Sequence, residues 1–265
     1  NLGYNEILDK MEFSFSRLHQ FEECPYAFYL KKIEGEELDE GNYYSDIGGY
    51  VHEINEMIFK GELSIDDAAD YFMEHYEENV SYPARQSTVE KKYCQALEYF
   101  AEFDMEKLQD YEILGVEMEV HFKIGKYSVI GYIDLLLRHK ETGEILLVDH
   151  KSAGRFFGKN GQPLKSQADN LAAYSKQMYL YSKAVYDLYG KYPSKIIWNH
   201  FFEKTISVIE FNQEDYEAAL NWALETIEKI YQEEEFPAKK SYMLCHVLCG
   251  FRNSCLYASE EDEEE

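Results

Sequence analysis

The segment that most constrains the fold is residues 131–151, with the sequence GYIDLLLRHKETGEILLVDHK. Two apolar runs, at 135–137 and 145–148, lie on either side of the polar stretch 138–144, which contains Gly143. Continuous apolar runs bounded by turn residues are typical of strands buried on both faces. Glycine can take the positive φ that a hairpin connection often needs. The segment therefore predicts a β-hairpin at the centre of a sheet.

Charged residues stand in this hairpin where a core strand should be apolar. If the turn is centred after Glu141, Asp134 lies opposite Asp149, with Cβ atoms about 4.5–5.5 Å apart. Because side chains alternate along a strand, Lys151 points to the same face as Asp149. Two buried carboxylates repel unless a cation lies between them, so we predict a divalent-metal site with an adjacent amine. The alternatives are a hairpin end where both aspartates reach water, or a one-residue slip in register that turns one of them away.

Composition indicates one large folded domain, or one domain with a helical appendage. The chain has 265 residues, 45% of them hydrophobic and 16% aromatic, which is enough for a substantial core. Its 51 acidic and 26 basic residues give a net charge of −25, the wrong sign for a surface that binds nucleic acid throughout. Part of the excess lies in 34–40 and 260–265, which we expect to be solvated. Any contact with DNA must therefore use a local groove helped by metal ions.

The sequence also gives an expectation for the cellular compartment. It begins without the basic and then apolar regions of a signal peptide, and no apolar run approaches the length of a membrane span. Five cysteines, an odd number, then favour metal ligation or buried thiols over a disulfide framework. We expect a cytoplasmic protein that does not bind a membrane.

The first hundred residues are predicted to be mainly helical. A first helix begins at Ser14 or Ser16, and Cys24–Pro25 breaks it because proline cannot donate to the preceding turn. Considered alone, Cys24 is expected to be a buried core thiol.

Three further helices are expected at 46–60, 64–81 and 86–110. Gly48 and Gly49 open the first of them and let another backbone or a ligand come close to the neighbouring His52. A lone histidine is more often a packed or surface residue, and that alternative stays open. Cys94, on the third of these helices, is expected in the core.

A strand leading into the hairpin is predicted for 113–126, where apolar and polar residues alternate. Its polar face carries Glu117, which could approach the aspartate–lysine cluster from the neighbouring strand. The alternative is a polar face in contact with water.

Beyond the hairpin, we predict a helix through about 167–190, strands at 195–202 and 205–211, and a last helix at 213–233. Gln177 and Tyr181 stand four residues apart on the first of these helices and so share a face. The amide offers a donor and an acceptor, and a tyrosine ring can stack on a base or hydrogen-bond a phosphate. The same spacing also arises by chance in helices rich in tyrosine.

The C-terminal segment 244–256, LCHVLCGFRNSCL, is dense in soft ligands. Cys245, Cys249, Cys255 and His246 lie within 11 residues. Thiolates and imidazole favour zinc or an iron–sulfur cluster. A further ligand must come from elsewhere in the chain, and Cys24 is the natural candidate.

Five motifs follow one another in an order that resembles a known family. They are FSFSRLHQFEECPYAFYL, GGYVHE, GYIDLLL, VDHKS and QMYLY. Together they resemble the RecB-like branch of the PD-(D/E)XK nuclease superfamily, especially its iron–sulfur members, the CRISPR-associated adaptation exonucleases and the AddB nuclease domain. The resemblance extends from about Phe13 to Cys255.

The resemblance implies an α/β fold with a mixed central β-sheet and N- and C-terminal helical elements joined by a metal cluster. It implies a single nuclease domain over 1–265. The helical part is 13–110, the catalytic sheet and helix 111–211, the C-terminal helix and cluster-binding segment 212–256, and the acidic tail 257–265.

The resemblance also implies roles for the polar residues. Mn²⁺ or Mg²⁺ would be held by His52, Asp134, Asp149 and the backbone carbonyl of His150. Lys151 would orient the attacking water or neutralise the phosphate. Apart from the resemblance, we expect Glu117 to be a further catalytic residue, because its strand could bring it to this cluster. Gln177 and Tyr181 would contact DNA.

The cysteines would bind a 4Fe–4S cluster through Cys24, Cys245, Cys249 and Cys255. Iron–sulfur members usually end in C-x-x-C-x5-C, whereas three residues separate Cys245 from Cys249 here. His246 is therefore an alternative ligand, and zinc an alternative metal.

The implied activity is metal-dependent cleavage of DNA, most simply by an exonuclease acting on single strands or on DNA ends. Such an enzyme would serve CRISPR adaptation, recombination or phage DNA metabolism in a bacterial, archaeal or phage-infected cell, with an integrase, a helicase or another DNA-processing protein as partner. The alternatives are a catalytically weak or inactive nuclease-like module that docks such a partner, and a zinc-stapled regulator.

Overall fold

The computed structural model describes residues 2–38, 41–241 and 244–257. Its N-terminal helices are α1 (Leu2–Lys10), α2 (Phe15–Glu23), α3 (Pro25–Tyr29), α4 (Tyr43–Lys60), α5 (Ile65–Asn79) and α6 (Gln86–Ala101). They precede the strands β1 (Tyr111–Ile124), β2 (Tyr127–His139) and β3 (Ile145–Lys151). Helix α7 (Ala168–Tyr189), strands β4 (Lys195–His200) and β5 (Thr205–Glu210) and helix α8 (Gln213–Gln232) follow.

The chain divides into two compact units. One contains 42–122 and 131–219, and we call it the sheet unit. The other contains the described parts of 1–41, 123–130 and 220–265, and we call it the terminal unit. No helix in the described ranges combines the length and the apolar character that crossing a bilayer demands.

The five strands form one mixed sheet, as predicted, and their order is β1-β2-β3-β4-β5. Strands β2 and β3 pair antiparallel, β3 and β4 pair parallel across α7, and β4 and β5 pair antiparallel. Leu135 lies opposite Val148 in the hairpin ladder, so the next pair along the same register is Asp134 with Asp149. Gly143 takes a φ of 70° in the turn. The predicted hairpin and its register are therefore confirmed.

Strand alternation separates two faces of the hairpin. Leu135, Leu137, Leu146 and Val148 pack with Phe59 of α4 in one apolar cluster. Asp134 and Asp149 occupy the alternate positions and so belong to the opposite face. The sheet therefore keeps an apolar core on one side while it carries acids on the other.

The helix predicted at 46–60 begins earlier than expected. Asn42 and Ser45 form a capping box, in which each side chain bonds the backbone of the other residue, and α4 therefore starts at Tyr43. Gly48 and Gly49 consequently lie inside the helix, and the expectation that they open it was wrong.

Two expectations about the segment 86–110 were also wrong. The helix ends at Ala101, a short 3₁₀ turn capped by Asp104 follows at Met105–Leu108, and the strand starts at Tyr111. Cys94 is exposed, not part of the core. It precedes the buried Ala96 by two residues, which places it about 200° away around the helix.

In the terminal unit, the break at Cys24–Pro25 is confirmed. Ser14 caps α2 by accepting from the backbone N–H of Arg17, and Cys24 is extended between α2 and α3, with a φ of −156°. Phe28 stacks on Phe236, which brings the N-terminal helices and the segment after α8 into one core. Residues 39–40 and 258–265, which include the acidic stretch 260–265, lie outside the described residues.

Candidate metal centre and active site

His52 lies close to two acidic residues on the polar face of the sheet. It projects from α4, and its Nε2 lies 2.9 Å from Asp134 Oδ2 on β2 and 3.3 Å from Glu117 Oε1 on β1. Donor atoms of these three residues all lie within 4.8 Å of one another. A helix and two adjacent strands therefore bring one imidazole and two carboxylates to a common point.

Glu117 reaches this point through an unusual backbone conformation. Its φ is 45°, in the left-handed region that disfavours residues with a side chain. Strict alternation of buried and exposed residues in β1 begins only after it, from Glu119 onward. The local change in direction aims Glu117 at His52, so the expected approach of this residue to the cluster occurs, although not by simple alternation.

The hairpin places its two aspartates as the register requires. The backbone N–H of His150 donates to Asp134 Oδ2 over 2.7 Å, which ties β3 to the carboxylate on β2. Asp149 is only 4% exposed. Both carboxylates are thus held inside the protein, where charge is costly unless it is compensated.

Lys151 supplies one compensating charge. Its Nζ lies 2.7 Å from Asp149 Oδ2 and donates to Gln177 Oε1 over 3.3 Å. The same ammonium sits 3.9 Å above the centre of the Tyr174 ring, a cation–π contact. Sequence reasoning missed Tyr174, although it stands three residues before Gln177 on the same face of α7, and that spacing could have revealed it.

His52 supplies the other compensating charge. Burial opposes a proton on its ring, but the hydrogen bond with Asp134 and the surrounding carboxylates outweigh that cost and raise the pKa of His52 to about 9. Burial also opposes the charge of Asp134, yet the bond from His52 lowers the pKa of that carboxyl. Burial and the neighbouring Asp134 raise the pKa of Glu117 to about 7.

Burial and charge also shift the pKa values of the Asp149–Lys151 pair. Burial raises the pKa of Asp149 to about 6 against the opposing effect of Lys151, and Asp134 adds to the rise. Burial disfavours the charge of Lys151, but Asp149 outweighs it and raises the pKa of that amine. Around neutral pH the site holds a permanent lysine cation beside acids that lack a full set of counter-charges.

Gln177 and Tyr181 join this network from α7. Gln177 Nε2 donates to Tyr181 Oη over 3.2 Å, so the amide bridges Lys151 and the phenol. The Tyr181 ring packs so closely on β2 that a Cβ at Gly131 would lie 2.4 Å from it. This contact gives a physical reason for glycine at residue 131. In this arrangement Tyr181 is buried, and its contact with DNA stays a prediction.

The model of the PD-(D/E)XK nuclease superfamily matches residues 12–256. The chain belongs to this superfamily. A putative exonuclease from Eubacterium rectale has a similar structure, with a TM-score of 0.54 and 16% identity, over 97% of this chain and 93% of that one. At such low identity, the likeness supports the fold alone.

Two further comparisons add nothing to the superfamily assignment. The protein SSO0001 shares 14% identity over 95% of each chain, but its TM-score of 0.33 carries no argument. No curated protein matches the sequence.

The donor set fits the divalent metals that PD-(D/E)XK nucleases use. Carboxylate oxygens are the ligands that Mg²⁺ prefers, and an imidazole is compatible with Mn²⁺. The pKa of His52 is raised to about 9, so the ring is protonated near neutral pH, and a cation bound to His52, Asp134 and Glu117 would replace that proton. These residues can therefore hold an ion once His52 loses that proton.

The terminal unit contains a second group of candidate ligands. Cys24, Cys245, Cys249 and Cys255 all border one cavity of about 20 Å³, together with apolar side chains such as Leu30. His246, the alternative ligand, is exposed, and it is not among the described residues that border this cavity. The chain thus brings the predicted cysteines together from both ends of the sequence.

Proposed function

We propose that the protein is a divalent-metal-dependent deoxyribonuclease. The observation that carries the proposal is the convergence of His52, Glu117 and Asp134 within 4.8 Å, on the sheet face that also carries the buried pair of Asp149 and Lys151. This is the residue set that hydrolysis of a phosphodiester needs: ligands for a metal, a fixed cation and a group able to accept a proton.

The metal ligands we propose are His52, Asp134, Asp149 and the backbone carbonyl of His150, for Mn²⁺ or Mg²⁺. A bound ion would lower the pKa of a water molecule and draw charge from a phosphate oxygen.

Lys151 would bind the phosphate or orient the water. Its ammonium is held by Asp149, Gln177 and the Tyr174 ring, so it enters the reaction already positioned. Glu117, with its pKa raised to about 7, can accept a proton from the water near neutral pH. Tyr181 fixes Gln177, and both residues are our candidates for contact with DNA.

We propose that the enzyme acts on single-stranded DNA or on DNA ends, and that it belongs to the RecB/AddB-like branch with an iron–sulfur cluster. The order of the five motifs supports that branch. The net charge of −25 supports a substrate held in a local site, or delivered by a partner such as an integrase or helicase, in CRISPR adaptation, recombination or phage DNA metabolism. We treat the sheet unit and the terminal unit as one nuclease domain.

The cluster would be 4Fe–4S, bound by Cys24, Cys245, Cys249 and Cys255 and stabilising the fold by tying distant segments together. The four thiols around one cavity support this choice, with zinc as the alternative metal.

The test is an ultraviolet–visible spectrum of anaerobically purified protein, followed by incubation with end-labelled single-stranded DNA and Mn²⁺. We expect a broad band near ~400 nm from iron–sulfur charge transfer and Mn²⁺-dependent shortening of the DNA. A colourless, zinc-containing but active protein would correct only the cluster. Intact DNA in the presence of Mn²⁺ would overturn the enzyme assignment in favour of a binding module.

A further inference from the structure

A chain of hydrogen bonds, buried between Tyr99 and Asn55 and partly buried at Asn199, runs behind the candidate metal centre. Asn199 on β4 lies beside His150 in the parallel ladder, and the Asn199 Nδ2 atom is 3.0 Å from His150 Nδ1. The same Nδ2 donates to Tyr99 Oη over 2.9 Å. Tyr99 Oη in turn donates to Asn55 Oδ1 over 3.0 Å. The chain therefore links strands β3 and β4 to α6 and then to α4.

The direction of each bond is determined by chemistry. Asn199 supplies both hydrogens of its amide, one to His150 and one to Tyr99, and the phenol passes its own hydrogen to Asn55. Because an amide nitrogen can only donate, His150 Nδ1 is the acceptor in its bond with Asn199. Since Asn55 and Tyr99 are 0% and 5% exposed, water does not readily replace the bond between them.

The two ends of the chain are the elements that carry the metal ligands. Asn55 stands one helical turn after His52 on α4, and the His150 ring packs against both Phe59 and His52 at centroid distances of 5.7 and 5.6 Å. On the opposite side of β3, the backbone N–H of His150 binds Asp134, which also binds His52. The hydrogen bonds thus close a loop that runs from His52 through the sheet and back to its own helix.

We propose that Tyr99 and Asn199 are positioning residues, which hold α4 and β3 at the separation that lets His52, Asp134 and the His150 carbonyl bind one divalent ion. This inference rests on the proposed function. Neither residue touches the metal ligands' donor atoms, and both act through Asn55 and His150. Outer-shell partners of this kind are worth about 10–100-fold in metal affinity where they have been removed.

The test is Mn²⁺ binding to the full-length protein, followed by the electron paramagnetic resonance signal of free Mn²⁺. Tyr99→Phe keeps the ring and removes two hydrogen bonds, and we expect its Kd for Mn²⁺ to rise about tenfold. In the nuclease assay, the Mn²⁺ concentration for half-maximal activity should rise similarly, while kcat at saturating Mn²⁺ changes little. Tyr50→Phe is the matched control, because this buried tyrosine bonds the carbonyls of Tyr71 and Phe72 in the same core.

The outcomes separate this proposal from the function on which it rests. If wild-type protein binds no Mn²⁺, both are overturned. If it binds Mn²⁺ and folded Tyr99→Phe binds equally well, only the positioning role is overturned. Equal weakening in Tyr50→Phe would also overturn it, since the cause would be a general loss of stability. Should Tyr99→Phe not fold, Asn199→Ala decides in its place, with the same tenfold expectation.

A double variant adds an independent check. Because either substitution breaks the same chain of bonds, Tyr99→Phe with Asn199→Ala should weaken Mn²⁺ binding by less than the product of the two separate effects. Independent, multiplicative effects would contradict a shared network.

Discussion

Candidate metal ligands cluster in two regions of the molecule, the sheet unit and the terminal unit, and the two clusters differ in charge. In the sheet unit, buried acids are opposed by charges of the protein itself: the proton of His52 and the ammonium of Lys151. In the terminal unit, four thiols border a cavity with apolar neighbours such as Phe251, and burial raises the pKa of Cys249. Charges of the protein oppose the acids in the first region, whereas burial disfavours the charged thiolate of Cys249 in the second.

The difference shows what each region requires from a metal. The acidic centre is held by hydrogen bonds and ion pairs among its own residues. The thiols gain strong interactions only when they lose protons to a bound metal, and binding energy there becomes folding energy. We therefore expect the first region to depend on its metal for chemistry and the second for stability.

The largest expected effect is the loss of DNA cleavage when the cation of the acidic centre is removed. Lys151→Ala should lower cleavage of end-labelled DNA by at least about 10²–10³-fold, the loss that follows removal of a preorganised charge from a reacting site. The fold should survive, because the pKa of Asp149, already raised to about 6, lets this residue take a proton when its partner is removed. Circular dichroism and the visible spectrum should be unchanged.

Lys183→Ala is the matched control for this experiment. Lys183 also lies in an ion pair, 2.6 Å from Asp187, but on the partly exposed side of α7. Its removal should leave cleavage near the wild-type rate. Comparable loss of activity in both variants, or retained activity in Lys151→Ala, would remove Lys151 from the active site.

The second prediction addresses the other region. Cys255→Ala should abolish the bound metal or cluster and reduce the yield of soluble protein. If the free metal concentration is normally about 1,000 times the Kd, loss of the metal lowers the free energy of unfolding by about 4 kcal/mol. The melting temperature should then fall by roughly 8–16 °C. Absorbance and calorimetry measure both effects.

Cys94→Ala serves as the control, since this thiol is exposed and is not among the cysteines at the cavity. It should leave absorbance and melting temperature unchanged. A Cys255→Ala protein as stable and as coloured as the wild type would show that the thiols do not bind a structural metal.

The hairpin shows how far the sequence could predict the candidate site. Its apolar runs and Gly143 were sufficient to place Asp134 opposite Asp149, because side chains alternate and a turn fixes the register. The positive φ of Glu117 had no such signal, since a glutamate gives no indication of a left-handed conformation. The tyrosines and phenylalanines of the helix that carries Cys94 likewise did not reveal that this cysteine is exposed.

Most of the residues that could not be predicted from the sequence make contacts with residues far away in the chain. The bonds of Tyr99 to Asn55 and Asn199 join residues 44 and 100 positions apart, and neither partner is marked by local spacing. The five motifs could be ordered along the chain, but their packing partners depend on tertiary structure. The motifs could therefore single out the residues of the candidate site, whereas no pattern in the sequence pointed to Tyr99 and Asn199, which link α4 to β3.

A smaller effect is expected where packing supports the acidic centre. Gly131→Ala would place a Cβ 2.4 Å from the Tyr181 ring, so the ring and its bond to Gln177 must shift. We expect a loss of about 1–3 kcal/mol in unfolding free energy, as for other overpacked cores, and slower cleavage as Lys151 loses its fixed partner. Gly49→Ala, where an added Cβ meets no atom within 4 Å, is the control and should keep full activity. Wild-type cleavage by Gly131→Ala would show that Tyr181 does not influence the reaction.

The smallest predicted effect is the release of a proton when Mg²⁺ binds, and it tests directly whether the charge of His52 is replaced by a metal. At pH 7.5 the metal-free His52 is protonated, because its pKa is about 9, whereas an imidazole that binds a metal must be neutral. Binding of Mg²⁺ should therefore release about one proton, and affinity should rise with pH until about 9, where His52 is half deprotonated. Asp149 and Glu117, with pKa values of about 6 and 7, are already mostly ionised and add little.

Calorimetric titration with Mg²⁺ in two buffers of different ionisation enthalpy measures this release directly. Because Mg²⁺ prefers oxygen ligands and binds thiols poorly, the experiment isolates the acidic centre from the cysteine cavity. The number of protons should fall toward one half as the pH approaches 9, since by then half of the His52 rings are already neutral. Binding of Mg²⁺ without proton release at pH 7.5 would mean that His52 keeps its proton and is not a ligand, and the contrast between the two regions would then rest on Lys151 alone.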